Sequence, residues 1–192
     1  MAQVKKTEVR DAILAAAFDL FCRKGYSATT MAEIARVAGT TVSNLYIYFD
    51  SKLTVLYEIN TPWLLRQIHT LAEQVQKFRT PETRLRRIFL GIWRDIPQAD
   101  HSFANAMIEA LAGAPEGASK PNNLLSQAET LLTQMIIDSL PPERRHIAES
   151  KLLSHIIWMA FDGFVINQRI GDIRDGDALA DLMIDLLLGE NT

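Results

Sequence analysis

Residues 25–52 read GYSATTMAEIARVAGTTVSNLYIYFDSK, and their spacing lays out two short helices joined by a tight turn. Thr30 and Glu33 form a T-x-x-E capping box, which predicts a helix beginning at Met31. Ile34, Ala35 and Ala38 give that helix one apolar face, with a small residue where a second helix must cross closely. Gly39 suits the position after the last turn, where the backbone tends to go left-handed. Thr40 and Thr41 can cap the second helix, in which Val42 and Leu45 are expected to point back to the core and Ser43, Asn44 and Tyr46 outward. A short helix, a glycine turn and a second helix bearing small polar side chains can enter a DNA major groove.

With these residues in place, the stretch from about Ile13 to Leu56 resembles the N-terminal DNA-binding domain of the tetracycline-repressor (TetR) family. Three blocks carry the resemblance in order: AAFDLFCRKGY, TTMAEIARVAG and LYIYFDSK. Tyr46, Phe49 and Lys52 recur in that family at this spacing, directly after the recognition helix. The likeness covers the first quarter to third of the chain; beyond it, only length and an all-helical pattern match. It implies a helix-turn-helix DNA-binding domain over 1–52 and a helical effector-binding and dimerisation domain over 53–192. It also implies that Thr30, Tyr46, Tyr48 and Lys52 hold the DNA backbone, with Thr29 beside them.

Composition is compatible with that reading. The chain has 192 residues, enough for a small N-terminal domain and one larger helical body. Hydrophobic residues make up 48%, so a packed core is expected rather than disorder. Cys22 is the single cysteine and has no intrachain partner, which suits a reducing cytoplasm, and its place after Leu14, Ala17, Phe18 and Phe21 marks it as a core residue. MAQVKKTEVRDAI lacks the apolar run of a signal peptide. IIWMAF at 156–161, like the other apolar stretches, is far short of the roughly 18 residues of a membrane span, so no membrane partner is expected. Net charge is −3, yet residues 1–60 carry seven Lys or Arg against six Asp or Glu. That modest asymmetry permits nucleic-acid binding without requiring it.

The remaining pattern is helical throughout, giving an all-α fold of about nine helices. The first is expected over about 8–24, stopped by Gly25. Ser51 caps a fourth whose apolar rhythm, Leu53, Leu56, Tyr57, Leu64, Ile68, Leu71, Val75 and Phe78, survives Pro62, so one long helix kinked at that proline is expected. A fifth follows RTP at 79–81 and should end at Pro97. A sixth, about 100–112, places Phe103, Met107 and Leu111 on one face. GAPEGASKPNN at 113–123 reads as the longest loop. A seventh helix should stop at Pro141 and Pro142, an eighth run over about 143–170, and a ninth over about 177–188.

The eighth helix carries two apolar stripes, Leu152, Ile156, Met159, Gly163 and Ile166, and Leu153, Ile157, Phe161 and Phe164. A helix apolar on two sides must be covered on two sides, and in so small a body the second cover is most simply another copy across a two-fold axis. The resemblance implies the same place, a homodimer through the last two long helices.

Two such heads would read a palindrome-like operator in double-stranded DNA, at successive major grooves roughly 34–36 Å apart or somewhat wider. Phosphate contacts set register and base edges set sequence. From Thr40 to Tyr48 no side chain is charged, so the usual arginine fork on guanine is missing. Asn44 is the best candidate for adenine, and Val42 or the Thr41 methyl, if turned outward, for a thymine methyl. Ser43 and Asn44 read equally as solvated helix residues. The family often carries a basic residue near Val42 and a polar one at Ile47, and this chain departs at both.

Members of the family commonly release DNA on binding a small molecule. Trp63, Phe89, Trp93, Phe103, Met107, Trp158 and Phe161 offer an apolar and aromatic lining for such an effector, although aromatic stripes at helical spacing serve equally as core. Arg66, His69, His101, Asn105, Glu109, Asp162 and Gln168 are the polar groups near them. The fourth helix, running past Pro62, would couple the two domains. The rival is a ligand-independent DNA-binding protein answering to a protein partner. No P-loop, glycine-rich dinucleotide turn or nucleophile elbow is present, and His146 and His155 lie nine apart, on opposite helix faces, so neither an enzyme, a metal site nor a cofactor is expected.

Overall fold

The computed structural model describes residues 2–114, 124–172 and 175–189. Among them the chain is all-α, with no strand. The helices are α1 (Ala2–Lys24), α2 (Met31–Val37), α3 (Val42–Tyr48), α4 (Lys52–Val75), α5 (Pro81–Leu90), α6 (Ile96–Ser102), α7 (Ala104–Ala112), α8 (Leu124–Ser139), α9 (Leu152–Ile170) and α10 (Gly176–Leu188). A π-helical turn, Gly91–Asp95, follows α5, and a 3-10 turn, Pro142–Ile147, precedes α9. No described helix is long and apolar enough to cross a membrane.

The fold divides into two compact units, one of Met1–Trp63 with Asp100–Lys120, the other of Leu64–Ala99 with Pro121–Thr192. In the first, Ile13, Ala17, Phe21, Ile34, Leu45, Phe49 and Leu56 form the buried centre. Phe103 is drawn into it: its ring lies 4.9 Å from Phe18 and 5.0 Å, edge-on, from Trp63. The Trp63 indole N–H donates to Asp100 Oδ2 at 2.6 Å, satisfying the polar end of an otherwise buried ring. These contacts explain why the described residues from 100 to 114 fold with the N-terminal helices instead of with the body expected from residue 53 onward.

In the second unit α5 is capped by Thr80, with Pro81 in its first turn, and buries Leu85, Ile88 and Phe89. Gly91 lets the chain pass Leu71 closely; a Cβ there would lie 2.3 Å from the leucine Cδ1. Arg87 joins Asp95 and Gln74, and Arg86 pairs with Asp177 and Asp181 of α10. Ile157, Phe161 and Val165 of α9 and Ala180, Ile184 and Leu187 of α10 face inward.

Several boundaries differ from the sequence reading. α1 begins at Ala2 rather than Glu8. Pro97 does not end the fifth helix: the Ile96 N–H bonds back to Gly91 O, a π-type register that accommodates the missing proline donor and lets α6 continue. The helix expected over 143–170 is a 3-10 turn and then α9, separated where Lys151 takes φ +60°. On α7 the buried side is Phe103, Ala106 and Ala110, with Met107 and Leu111 half-buried. α4 is helical through Pro62. The loop expected at 113–123 lies outside the described residues from 115 onward.

Candidate nucleic-acid interface

The α2–α3 pair is built from local signals. Thr30 caps α2, its hydroxyl accepting from Glu33 N–H at 3.2 Å. Only this half of the capping box forms, because the Glu33 carboxylate turns to Lys24 Nζ at 2.5 Å. That ammonium, first among the causes, holds the Glu33 carboxyl below its ordinary range. Gly39 takes φ +68°, and Thr40 N–H reaches Ala35 O at 2.9 Å while Gly39 N–H reaches Arg36 O at 3.3 Å, the paired bonds of a Schellman stop. Thr41 caps α3, accepting from Asn44 N–H at 3.1 Å. Leu45 is the residue of α3 that anchors it, fully buried.

Lys52 closes the unit from the other side. Its ammonium donates to Tyr26 O and to Thr29 O, both at 2.7 Å, and stands 4.1 Å from the Tyr26 ring centre. Burial lowers its pKa, opposed by the Glu109 charge and reinforced by that of Lys24. Two of the three ammonium donors therefore serve the turn between α1 and α2. Glu109 of α7 serves the same turn: its Oε2 accepts from Ser27 N–H at 2.8 Å. Gly25, at φ +80°, leaves room for that carboxylate; a Cβ would lie 2.8 Å from Oε1. Sequence reasoning offered Glu109 only as a ligand-orienting group. No local spacing signals a contact between residues 82 positions apart.

The other residues expected at DNA fall into three groups. Thr29 is buried, its hydroxyl donating to Gly25 O at 2.8 Å, so it shapes the turn. Thr30, Thr41, Ser43 and Tyr46 are exposed, and Thr40, Asn44 and Tyr48 half-buried. Asn44 Nδ2 donates to Thr40 Oγ1 at 2.7 Å, so part of its donor capacity is spent within the helix-turn-helix. Val42, expected toward the core, is turned outward, and Ile47 is among the most exposed apolar residues described. Nearby bases are paired within the unit: Arg10 with Glu58, Arg23 with Asp19 and Lys24 with Glu33. Surface pairs of this kind are worth about 0–1 kcal/mol.

The aromatic residues considered for an effector do not form one lining. Trp63 and Phe103 pack together in the first unit, with Met107 half-buried on α7. In the second, Trp93 is stacked between Phe89 (5.0 Å) and Phe164 (5.3 Å), and its indole N–H donates to Ile157 O at 3.1 Å. Trp158 stacks on Phe161 at 4.8 Å. An open cleft of about 320 Å³ lies elsewhere in that unit, lined by Leu65, His69, Ser126, Gln127, Thr130 and Leu131. His155 pairs with Glu129 across 2.7 Å, and no group of three His, Cys, Asp or Glu among the described residues is placed to hold a metal.

A capped α2–α3 pair packed on α1 defines the class: an all-α helix-turn-helix protein. Residues 13–59 match the family model of the bacterial regulatory proteins, tetR family. Those residues are thus similar to the N-terminal domain of that family, and the all-α fold accords with it. The HTH-type transcriptional regulator RutR of Escherichia coli K12 is 36% identical over 110 residues, 55% of this chain and 50% of that protein. The chain thus spans about half the length of these curated relatives. A TetR-family regulator from Bordetella parapertussis 12822 is 28% identical, with a TM-score of 0.51 over 95% of each chain. One from Rhodococcus sp. shares the fold at 19% identity, with a TM-score of 0.65 over 95% of this chain and 100% of that one.

Proposed function

We propose that this protein is a sequence-specific DNA-binding transcriptional regulator, a repressor that sits on a palindromic operator as a homodimer. The observation that carries the reading is α3 itself. It is capped at Thr41, anchored by Leu45 alone, and presents every other side chain outward or half-outward from a base held by Lys52 and Glu109. A seven-residue helix so displayed has the size and exposure of a major-groove reader. Thr30, Thr40, Thr41, Tyr46 and Tyr48 are the groups that reach phosphates from either side of it.

Pairing of copies is supported by α9 and α10. Leu152, Ile156, Met159 and Ile166 on α9, and Leu179, Leu182 and Leu186 on α10, are exposed, opposite the inward faces of the same helices. Exposed apolar side chains repeated along one side of each helix favour an interaction site, and a two-fold pairing of the same stripe buries it without leaving a second open edge. Gly163, with nothing within 4 Å of its Cβ position, lets a second helix come close.

For control, release by a small apolar or aromatic effector has the cleft beside His69 and Thr130 as its opening in the second unit. The stacked, hydrogen-bonded surroundings of Trp93 favour the second reading, a regulator answering to a protein partner, over an effector seated at Phe89 and Trp93. Enrichment of a random duplex library on the full chain tests the main proposal. The expected product is a two-fold symmetric sequence with half-sites about one helical turn or somewhat more apart. A folded protein that enriches nothing overturns it.

A further inference from the structure

We propose that the head reads its half-site chiefly through thymine methyl groups, with Ile47 and Val42 as the specificity-determining residues; this rests on the DNA-binding reading above. At about 3.6 residues per turn, Ser43 and Ile47 stand on the ridge opposite Leu45, flanked by Val42 and Tyr46 on one side. The exposures follow that geometry: Leu45 0%, Val42 38%, Tyr46 50% and Ile47 70%. Single exposed apolar residues are ordinary on a protein surface. Here Ile47 on the outer ridge, Tyr46 beside it and the part-exposed Val42 nearer Leu45 present two branched aliphatics and an aromatic ring from one seven-residue helix, where a reader of hydrogen-bond patterns would carry arginine, lysine or glutamine.

The polar alternative on this helix is partly committed. Asn44 spends an amide N–H on Thr40, and Ser43 offers a hydroxyl that accepts or donates to any base. No charged side chain lies between Thr40 and Tyr48. In the major groove the one apolar group that distinguishes bases is the C5 methyl of thymine. A water-exposed isoleucine and valine gain by covering that methyl and gain nothing from the polar edges of guanine, cytosine or adenine.

The test uses the full chain and the duplex that the library enriches. Each thymine of one half-site is replaced in turn by deoxyuridine, which removes the methyl and leaves every hydrogen-bonding group in place. Dissociation constants are compared for the native protein, Ile47→Ala and Val42→Ala. Both positions are solvent-exposed and alanine is a strong helix former, so circular dichroism should show the fold kept. The expected result is a loss of about fourfold for each contacted methyl, the worth of one methyl-sized group removed from contact. That loss should disappear in Ile47→Ala at one thymine and in Val42→Ala at another. Enrichment of a duplex whose thymines all tolerate deoxyuridine overturns the inference and leaves the DNA-binding reading standing. A deoxyuridine penalty that persists in both variants also overturns it, by removing these residues as its source. Failure to enrich any duplex overturns the DNA-binding reading, and this inference with it.

Discussion

Replacement of Lys52 by methionine separates two roles that one ammonium could play. Methionine keeps an unbranched stem of similar length and removes the charge and its donors. The structure spends those donors on Tyr26 O and Thr29 O at 2.7 Å and sets the charge 4.1 Å from the Tyr26 ring. Hydrogen bonds from a charged group contribute about 1.5–3 kcal/mol each and an exposed cation–π contact about 0.5–1 kcal/mol. Two terms reduce the sum. Tyr26 O keeps a second partner in Thr29 N–H at 3.1 Å, and burial already disfavours the charged lysine. A net loss of about 2 kcal/mol is expected, or about 4–8 °C in Tm for a chain of this size that melts as one unit. Calorimetry of Lys52→Met measures it directly.

The DNA arm of the same experiment reads the logarithm of affinity against that of salt concentration. If Lys52 holds the turn, Lys52→Met weakens all duplexes alike and leaves the slope unchanged. If it neutralises a phosphate, the slope falls by about 0.9 while Tm stays put. An unchanged Tm with that fall in slope would refute the clamp and return Lys52 to the phosphate role that the family resemblance implies. Lys52→Arg should recover only part of the stability, since a planar fork cannot present a point charge to two carbonyls and a ring face together.

Three further outcomes are expected. Gly25→Ala should cost more than its left-handed backbone alone, about 1–2 kcal/mol, because the new Cβ meets the Glu109 carboxylate; in Glu109→Ala that extra part should vanish. Strict additivity in denaturant titrations would break the proposed link between α7 and the turn. Met159→Glu should convert a dimer to a folded monomer in sedimentation equilibrium, and an unaltered dimer would move the interface off α9. Cys22 has its thiol pushed up to about 11, by burial first and then by the Asp100 and Asp19 charges. Its alkylation should climb tenfold per pH unit to about that value, whereas a plateau near 8.5–9 would contradict the burial.

The reading head was largely legible because its signals are local. Thr30, Gly39, Thr41 and Ser51 each act on backbone groups within a few residues, and each cap or stop forms as its residue type predicts. What was not legible is where a polar side chain goes when two partners compete. Glu33 fits a reciprocal capping box, yet nearby Lys24 takes its carboxylate. Lys52 donates to the carbonyls that close the α1–α2 turn, partners that its place in the sequence does not announce. Pro97 misled for a related reason: proline is a reliable break in an α register, and the π turn before it changes the register.

The helical period sets Val42 toward the core, about 60° round α3 from Leu45, and so does not by itself show that it is exposed. In this seven-residue helix Leu45 is the buried residue, with Phe49 buried just after it, and Val42 at the first position is left part-exposed. The same ambiguity appears on α10, where Leu179, Leu182, Met183, Leu186 and Leu187 look like one broad apolar face. The structure divides them. Ala180, Ile184 and Leu187 turn inward, while Leu179, Leu182 and Leu186 stay in water. Asp177 and Asp181, which pattern alone assigns to solvent, bind Arg86 of α5 within the unit. With the acidic residues tying α10 inward, its outer side is left to leucines. An outward side that is apolar on both α9 and α10 is the ground for the proposed pairing of copies, since surface of that kind favours an interaction site.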